Sequence, residues 1–257
     1  MIDALRYETV RVRTIASTYW TLALGLAFCG LVALGFGLDS RGTDLPPALA
    51  TLLLTGGGES LPFPVLGLPV ALLGVLSTAH EYRYGTIFPT LTAIPQRSLV
   101  LAAKVLVVAS VAAAAAVVSV LLCWSIGSIA RGEPLPIAVE PIPVVLVGYV
   151  VLVVLYGVLG VALGQLTRAI PVATVIILAS PLIIEPVITA LSGLGAVSWL
   201  ADAVPYLPFG AGMRLLTAGL TPASGELLGR WAGGAVFGVF VGVLLGLGWL
   251  LFKRRDA

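Results

Sequence analysis

The sequence predicts an all-α integral membrane protein with about six transmembrane helices. Of its 257 residues, 59% are hydrophobic and only 10% are charged, whereas soluble domains have about 25% charged residues. The mean hydropathy is +1.11. Apolar runs of about 20 residues recur along the chain, and a helix of that length crosses a hydrocarbon core about 30 Å thick. We therefore expect residues 1–257 to form a single transmembrane domain.

Six apolar runs give the predicted spans in chain order. They cover residues 18–38, 61–79, 99–129, 142–166, 171–191 and 231–252. The first run is long, follows a charged segment and lacks a short apolar core with a small-residue cleavage site. It is therefore predicted to be a true span rather than a signal peptide.

The basic residues predict that both termini are cytoplasmic, because short loops rich in Lys and Arg stay on that side of a membrane. An even number of spans with both ends inside leaves four of the 14 basic residues outside, namely Arg41, Arg131, Arg214 and Arg230. The other ten are then cytoplasmic: Arg6, Arg11, Arg13, Arg83, Arg97, Lys104, Arg168, Lys253, Arg254 and Arg255.

Residues 1–16 are predicted to form an amphipathic helix in the cytoplasmic interface. At about 100° per residue, one narrow stripe is expected to face lipid, and it contains Ile2, Leu5, Thr9, Val12 and Ala16. The charged residues lie away from this stripe, and three of them are expected to act as interfacial anchors, namely Arg6, Arg11 and Arg13. A frayed, charged tail is the alternative.

The residues that carry chemistry in enzymes are scarce, so neither a catalytic site nor a metal site is predicted. Cys29 and Cys123 fall inside predicted spans, where they are most simply small hydrophobic residues. The single histidine, His80, cannot complete a zinc site of the usual kind. Neither lysine, Lys104 nor Lys253, follows a glycine as in an ATPase phosphate loop. Active transport would therefore need energy from another polypeptide or from an ion gradient.

A polar interruption between the second and third predicted spans reads STAHEYRYGTIFPTLTAIPQR, residues 77–97. Tyr82, Arg83 and Tyr84 suit the boundary between membrane and water, because each has an apolar body and a polar end. Gly85 permits a sharp turn of the backbone, and Thr86 is a suitable N-cap for a new helix.

The short helix predicted after this turn has an apolar face. Ile87, Leu91 and Ile94 recur at spacings of four and three, Phe88 lies beside them, and Pro95 ends the helix. An apolar face bordered by charge and presented to the cytosol is what docking onto a soluble partner requires.

The ordered string Glu81, Gly85-Thr86-Ile87, Leu91, Pro95, Arg97 and Ala103-Lys104 resembles the loop between the second and third spans of type-2 ABC exporter permeases. The six-span layout, the N-terminal interfacial helix and the Pro/Gly-rich segment before the last span are also similar to that family. Pro89 departs from the family pattern, so the start of the short helix is predicted only to within a few residues.

The resemblance implies that this loop is a coupling helix, which sits in a groove of a separate cytoplasmic ATPase subunit. It also implies a complex of two permeases and two ATPases in the cytoplasmic membrane of a bacterium. ATP and Mg²⁺ would bind to the ATPase, and this chain would hold no cofactor. The implied coupling residues are Glu81, Tyr82, Arg83, Tyr84, Gly85, Thr86, Ile87, Phe88, Leu91, Pro95 and Arg97.

Residues 192–230 contain several prolines and glycines and apolar patches too short to cross a membrane. The resemblance implies short re-entrant helices that cap the exit on the outer side, and the alternative is a long structureless loop. Trp199, Tyr206 and Phe209 are expected at interface depth, as in an aromatic belt. Glu185 and Arg214 complete the candidate pathway or gate residues.

The expected function is export of a hydrophobic or amphiphilic substrate, such as a drug, lipid or peptide-like molecule. The expected partners are the ATPase, a second permease subunit and membrane lipid, without nucleic acid. A carrier driven by an ion gradient is one alternative, with Glu185 as its candidate ionisable group. A membrane subunit for sensing or self-immunity is another. An intramembrane hydrolase is disfavoured, because His80 lies at the membrane edge.

Overall fold

The computed structural model describes residues 2–57, 61–86, 92, 96–217 and 228–254, which contain helices and no strand. The α-helices are α1 (Ile2–Thr14), α2 (Ala16–Asp39), α3 (Pro47–Thr55), α4 (Gly67–Arg83), α5 (Arg97–Arg131), α6 (Ile142–Thr167), α7 (Ile170–Ala179), α8 (Glu185–Ser192), α9 (Pro208–Met213) and α10 (Arg230–Arg254). A π-helical segment, Ser180–Ile184, joins α7 to α8. Short 3-10 helices at Gly195–Asp202, Val204–Tyr206 and Arg214–Leu216 flank α9. The predicted all-α class is confirmed.

Five helical runs are long and apolar enough to cross a membrane: Ala16–Asp39, Arg97–Arg131, Ile142–Thr167, Ile170–Ser192 and Arg230–Lys253. They agree with five of the predicted spans to within a few residues. The second predicted span, residues 61–79, differs, because α4 begins only at Gly67 and has 17 residues. The interruption follows from local sequence, since Pro64 and Gly67 disfavour a helix that would start at residue 61.

The short helix α3 precedes the part of the predicted second span that is not helical. Its residues from Ala50 to Thr55 are buried, and it ends at Gly56, which has a φ of 68°. A Cβ on Gly56 would lie 2.9 Å from the Cβ of Cys29, near the middle of α2. At the start of α4, Gly67 packs against Tyr156, near the middle of α6. The described chain between α2 and α5 therefore includes two short helices, and the end of α3 and the start of α4 lie against the middle of α2 and of α6.

The contacts at the helix ends define two ends of the bundle. At the proximal end, the Arg97 Nη1 donates to the carbonyl oxygen of Phe252 over 2.8 Å, which joins the start of α5 to the end of α10. At the distal end, the Arg131 Nη1 donates to the carbonyl oxygen of Ser40 over 2.8 Å, which joins α5 to the end of α2. The first helix, α1, lies at the proximal end, because Lys104 of α5 contacts it.

The closest helix pair is α4 with α6, and these helices run parallel. Gly160 lies against the backbone of Ala71, and one turn later Gly164 lies against Val75. A Cβ on Gly160 would overlap the carbonyl oxygen of Ala71. Small residues at intervals of four allow this approach of two backbones, as they do in membrane helix pairs. We refer to these contacts as the α4–α6 seam, in which the two backbones are in direct contact.

Candidate functional site

Four ionised side chains meet at the proximal end, just before the predicted coupling segment. The Lys104 Nζ lies 2.7 Å from an oxygen of Glu8 and 2.7 Å from an oxygen of Glu81. Arg11 pairs with Glu8 over 2.9 Å and also with Glu81. Lys104 and Arg11 both donate to the carbonyl oxygen of Ser77. We call Glu8, Arg11, Glu81 and Lys104 the ion cluster, and it connects α1, α4 and α5.

The ion cluster is nearly inaccessible to solvent. Glu8 and Glu81 are each 2% exposed and Lys104 is 3% exposed, while Arg11 is partly buried. Two cations balance two carboxylates, so the buried cluster carries no formal net charge. Burial of charge is costly unless each ion is paired and hydrogen-bonded, and here the pairs come from three helices. The three helix ends are therefore held together by mutual compensation of charge.

The structure shows what the charged side of α1 contacts. Glu8 and Arg11, which were predicted only to lie away from the lipid-facing stripe, face α4 and α5, with Ala4 buried on the same side. The reason is that Lys104 and Glu81 supply charge partners from distant parts of the chain, which a helical projection of residues 1–16 cannot include. Arg11 is thus an interior ion rather than an interfacial anchor, whereas Arg6 and Arg13 are exposed.

The buried position of Glu81 also corrects its expected place on the docking surface. Its carboxylate is paired inside the ion cluster, so it is not presented to a soluble partner. Arg83, Tyr84, Gly85 and Thr86 are exposed, and the Arg83 guanidinium lies 5.7 Å from the centroid of the Tyr84 ring. Ile87, Phe88, Leu91 and Pro95 lie outside the described residues.

The two flanks of the predicted coupling segment are fixed to other helices. On the first flank, the Tyr82 hydroxyl accepts a hydrogen bond of 2.7 Å from Gln165, and Arg168 lies 4.5 Å from the centroid of the Tyr82 ring. On the second flank, Arg97 bonds to the backbone of Phe252 and lies over its ring. Tyr82 and Arg97 were expected to contact an ATPase, and the structure gives both of them contacts within the chain.

The candidate gate residues separate into buried and exposed groups. Glu185 is 8% exposed, and its two oxygens accept hydrogen bonds of 2.7 Å from the backbone N–H groups of Phe209 and Gly210. Phe209 was expected at interface depth, but it is buried among the rings of Tyr156, Phe237 and Phe240, because α9 packs inward against α10. The sequence could not show this, since Phe209 lies in a short loop-like stretch.

The other two predicted aromatic residues are at the surface: Trp199 is 70% exposed and Tyr206 is 53% exposed. Arg214 bonds through its Nη1 to the carbonyl oxygen of Leu228 over 3.2 Å. Arg214 therefore joins the end of α9 to the residues just before α10.

We expect Glu185→Gln to loosen α9 and to lower the free energy of unfolding by about 1–3 kcal/mol, because a buried backbone N–H loses its charged acceptor. Equilibrium unfolding in mixed micelles measures the effect. The surface variant Glu133→Gln is a control, since Glu133 is highly exposed. Equal stability of both variants would contradict a structural role for Glu185. Abolition of a pH-dependent uptake by Glu185→Gln would instead favour the ion-gradient carrier.

An apolar cavity of about 620 Å³ lies between α2, α4 and α7. The segment between α3 and α4 covers part of it through Leu61, Phe63 and Val65. The remaining lining residues are Thr21, Leu24, Gly25, Phe28, Leu68, Pro69, Leu72, Thr174, Ile177 and Leu178. No charged side chain lines this cavity among the residues that the structure describes, so it suits an apolar group.

No known protein-family model matches this chain, and no curated protein is significantly similar to it. The functional assignment therefore has to come from the chain itself. One sequence signal could have revealed the ion cluster: Lys104 lies two turns inside a long apolar run, where an ionisable residue needs a partner. The identity of that partner was hidden, because Glu8 lies 96 positions away.

Proposed function

We propose that this chain is the transmembrane permease subunit of an ATP-driven exporter whose ATPase is a separate polypeptide. The observation that carries the proposal is the position of the ion cluster at the base of the segment that resembles a coupling helix. This segment joins α4 to α5, and the ion cluster links both of these helices to α1. A force on the segment thus acts on three helices together.

The α4–α6 seam and the apolar cavity connect that force to a transport step. When the ATPase pushes the coupling segment, α4 is displaced, and α6 follows because their backbones are in direct contact at Gly160. One wall of the cavity is formed by Leu68, Pro69 and Leu72 of α4. Displacement of α4 therefore changes the shape of the cavity, because α2 and α7 form its other walls.

The lining of the cavity supports a hydrophobic or amphiphilic substrate. Apolar side chains favour transfer of an apolar group out of water, and the described lining residues carry no charge that would bind a strongly polar glycan. We place the substrate pathway at this cavity, with a second copy of the chain completing it and with the proximal end in the cytoplasm.

Copurification tests the proposal directly. The tagged chain, isolated from its native membrane, is expected to bring down a soluble protein with a Gly-rich, Lys-containing phosphate loop in stoichiometric amount. The reconstituted pair is then expected to hydrolyse ATP faster when a hydrophobic or amphiphilic substrate is added. Purification of the intact chain without such a protein, under conditions that preserve membrane complexes, would count against the exporter.

We expect Gly85→Val to uncouple ATP hydrolysis from transport while the membrane bundle stays folded. Gly85 has a φ of 68°, and a β-branched residue is strongly disfavoured in this left-handed conformation. Leu91→Asp is expected to act similarly by placing a charge on the predicted docking face. The measurement is substrate-stimulated ATPase activity and substrate efflux in proteoliposomes.

Gly42→Val is a matched control for Gly85→Val. Gly42 also has a φ of 68°, neither glycine has a neighbour within 4 Å of its Cβ position among the described residues, and Gly42 lies at the distal end. Both variants therefore carry a similar backbone cost, but only one lies in the coupling segment. Normal coupling in Gly85→Val and Leu91→Asp, or equal loss in Gly42→Val, would refute the assignment of this segment.

A further inference from the structure

A groove of about 480 Å³ lies between α1 and α5 at the proximal end. Its walls are mostly aliphatic, with Leu106, Val107 and Val111 from α5 and Leu5 and Val12 from α1. The polar residues along it are Thr9, Arg13 and Ser110. This groove is separate from the apolar cavity of the transport proposal, which lies between α2, α4 and α7.

The orientation of α1 leaves a cationic side facing outward. Because Glu8 and Arg11 are engaged in the ion cluster, Glu8 does not neutralise the exposed arginines. Arg6 and Arg13 are seven residues apart and thus lie on the same side of the helix, two turns from each other. Arg13 makes no ion pair with any residue that the structure describes, and Asp3 is the exposed acid near Arg6 in the first turn.

Neighbouring aromatic residues indicate the depth of Arg13 in the membrane. The Tyr19 hydroxyl donates a hydrogen bond of 2.9 Å to the carbonyl oxygen of Arg13. Tyr19 and Trp20 are both highly exposed at the start of α2. Tyr and Trp collect at the headgroup level of membranes, so this level is the expected depth of the Arg13 guanidinium.

We propose that the α1–α5 groove binds an anionic phospholipid, with its headgroup phosphate at Arg13 and an acyl chain along Leu106, Val107 and Val111. Charge complementarity selects this occupant, because an unpaired guanidinium at headgroup depth attracts an anionic lipid and the aliphatic walls receive its chain. The bound lipid bridges α1 and α5. This inference rests on membrane placement of the bundle and not on ATP-driven transport.

Native mass spectrometry of the detergent-solubilised chain tests the site with phosphatidylglycerol and phosphatidylcholine of identical acyl chains. One arginine near an anionic headgroup contributes about 1 kcal/mol, which corresponds to about a fivefold difference in affinity. We expect phosphatidylglycerol to bind about fivefold more tightly, and Arg13→Gln to abolish this preference. Arg83→Gln removes another exposed arginine at the same end and is expected to leave the preference unchanged.

A second variant tests the acyl-chain part of the site. Ser110 is exposed and bonds to the carbonyl oxygen of Leu106, so Ser110→Phe fills the groove without removing an interior contact. We expect it to weaken binding of both lipids about tenfold. The matched control is Ser125→Phe, since Ser125 makes the same bond to Leu121 on α5 but lies away from the groove.

Equal binding of the two lipids by the unmodified chain, or unaltered binding in Arg13→Gln and Ser110→Phe, would overturn the lipid site. Since no ATPase takes part in the measurement, such a result would leave the exporter proposal intact. Conversely, a chain that selects phosphatidylglycerol through Arg13 but copurifies with no ATPase would support the lipid site alone.

Discussion

Replacing Lys104 with methionine is expected to lower the free energy of unfolding by about 3–5 kcal/mol, because removal of one partner of a buried ion group leaves uncompensated charge. Glu8 and Glu81 would both lose a cation at 2.7 Å, and only Arg11 would remain between them. Methionine nearly preserves the shape of the side chain, so the loss reports on charge rather than on a cavity. Equilibrium unfolding in mixed micelles, followed by tryptophan fluorescence, measures the change.

Two further variants make this prediction specific. Lys253→Met removes an exposed lysine of α10 and is expected to change the free energy of unfolding by less than about 1 kcal/mol. The double variant Lys104→Met with Glu81→Gln restores a neutral cluster and is expected to recover part of the lost stability. A large effect of Lys253→Met, or strict additivity in the double variant, would contradict charge compensation as the origin of the effect.

The expected functional consequence follows from the same contacts. Loss of Lys104 removes α5 from the ion cluster, whereas Arg11 still joins α1 to Glu81 of α4, so a push on the coupling segment reaches fewer helices. We therefore expect Lys104→Met to reduce substrate-stimulated ATPase activity even in the fraction that remains folded. The neutral double variant, which keeps the helix packing but lacks the ionic link, separates the effect on folding from the effect on coupling.

Gly160→Ala is expected to cost about 1–3 kcal/mol of stability, the usual range for overpacking in a tight interior. A Cβ at this position overlaps the carbonyl oxygen of Ala71, which is helix backbone and cannot turn aside as a flexible side chain can. The α4–α6 seam would have to open, and the Gly67 and Gly164 contacts would loosen with it. Equilibrium unfolding in mixed micelles again measures the loss.

Gly242→Ala is the matched control for the seam. Gly242 also lies inside a long apolar helix, but no heavy atom of a described residue is within 4 Å of its Cβ position. Its replacement is expected to be neutral or slightly stabilising, because alanine is the better helix former. If Gly160→Ala were as stable as Gly242→Ala, the close approach of α4 and α6 would be incorrect.

The sequence predicted the long helices well because each of them is a local property of the chain. An apolar run of more than 20 residues forms a helix wherever its neighbours lie, and α2, α5, α6 and α10 begin and end close to the predicted residues. The second crossing could not be predicted in this way. The distal half of this crossing is α3. Helix α3 has only nine residues, and its burial depends on α2, α5 and α6 rather than on its own hydropathy.

The candidate site was predicted less completely than the spans. The prediction selected Glu81, Arg83 and Gly85, and the structure leaves the last two exposed at the proximal end. Glu81 was assigned to the docking surface because the family resemblance implies that it contacts an ATPase. Its ion-pair partner, Lys104, lies 23 residues further along the chain, and only the fold brings the two side chains together.

The break between α3 and α4 determines which helices carry a displacement to the distal end of the bundle. An unbroken helix would transmit a displacement along its whole length, from one end of the bundle to the other. Here α4 begins at Gly67, and the described residues between it and α3, 56–57 and 61–66, are not part of an α-helix. Under the proposed mechanism, a displacement of α4 therefore reaches the distal end through the unbroken helices α5 and α6 and not through α3.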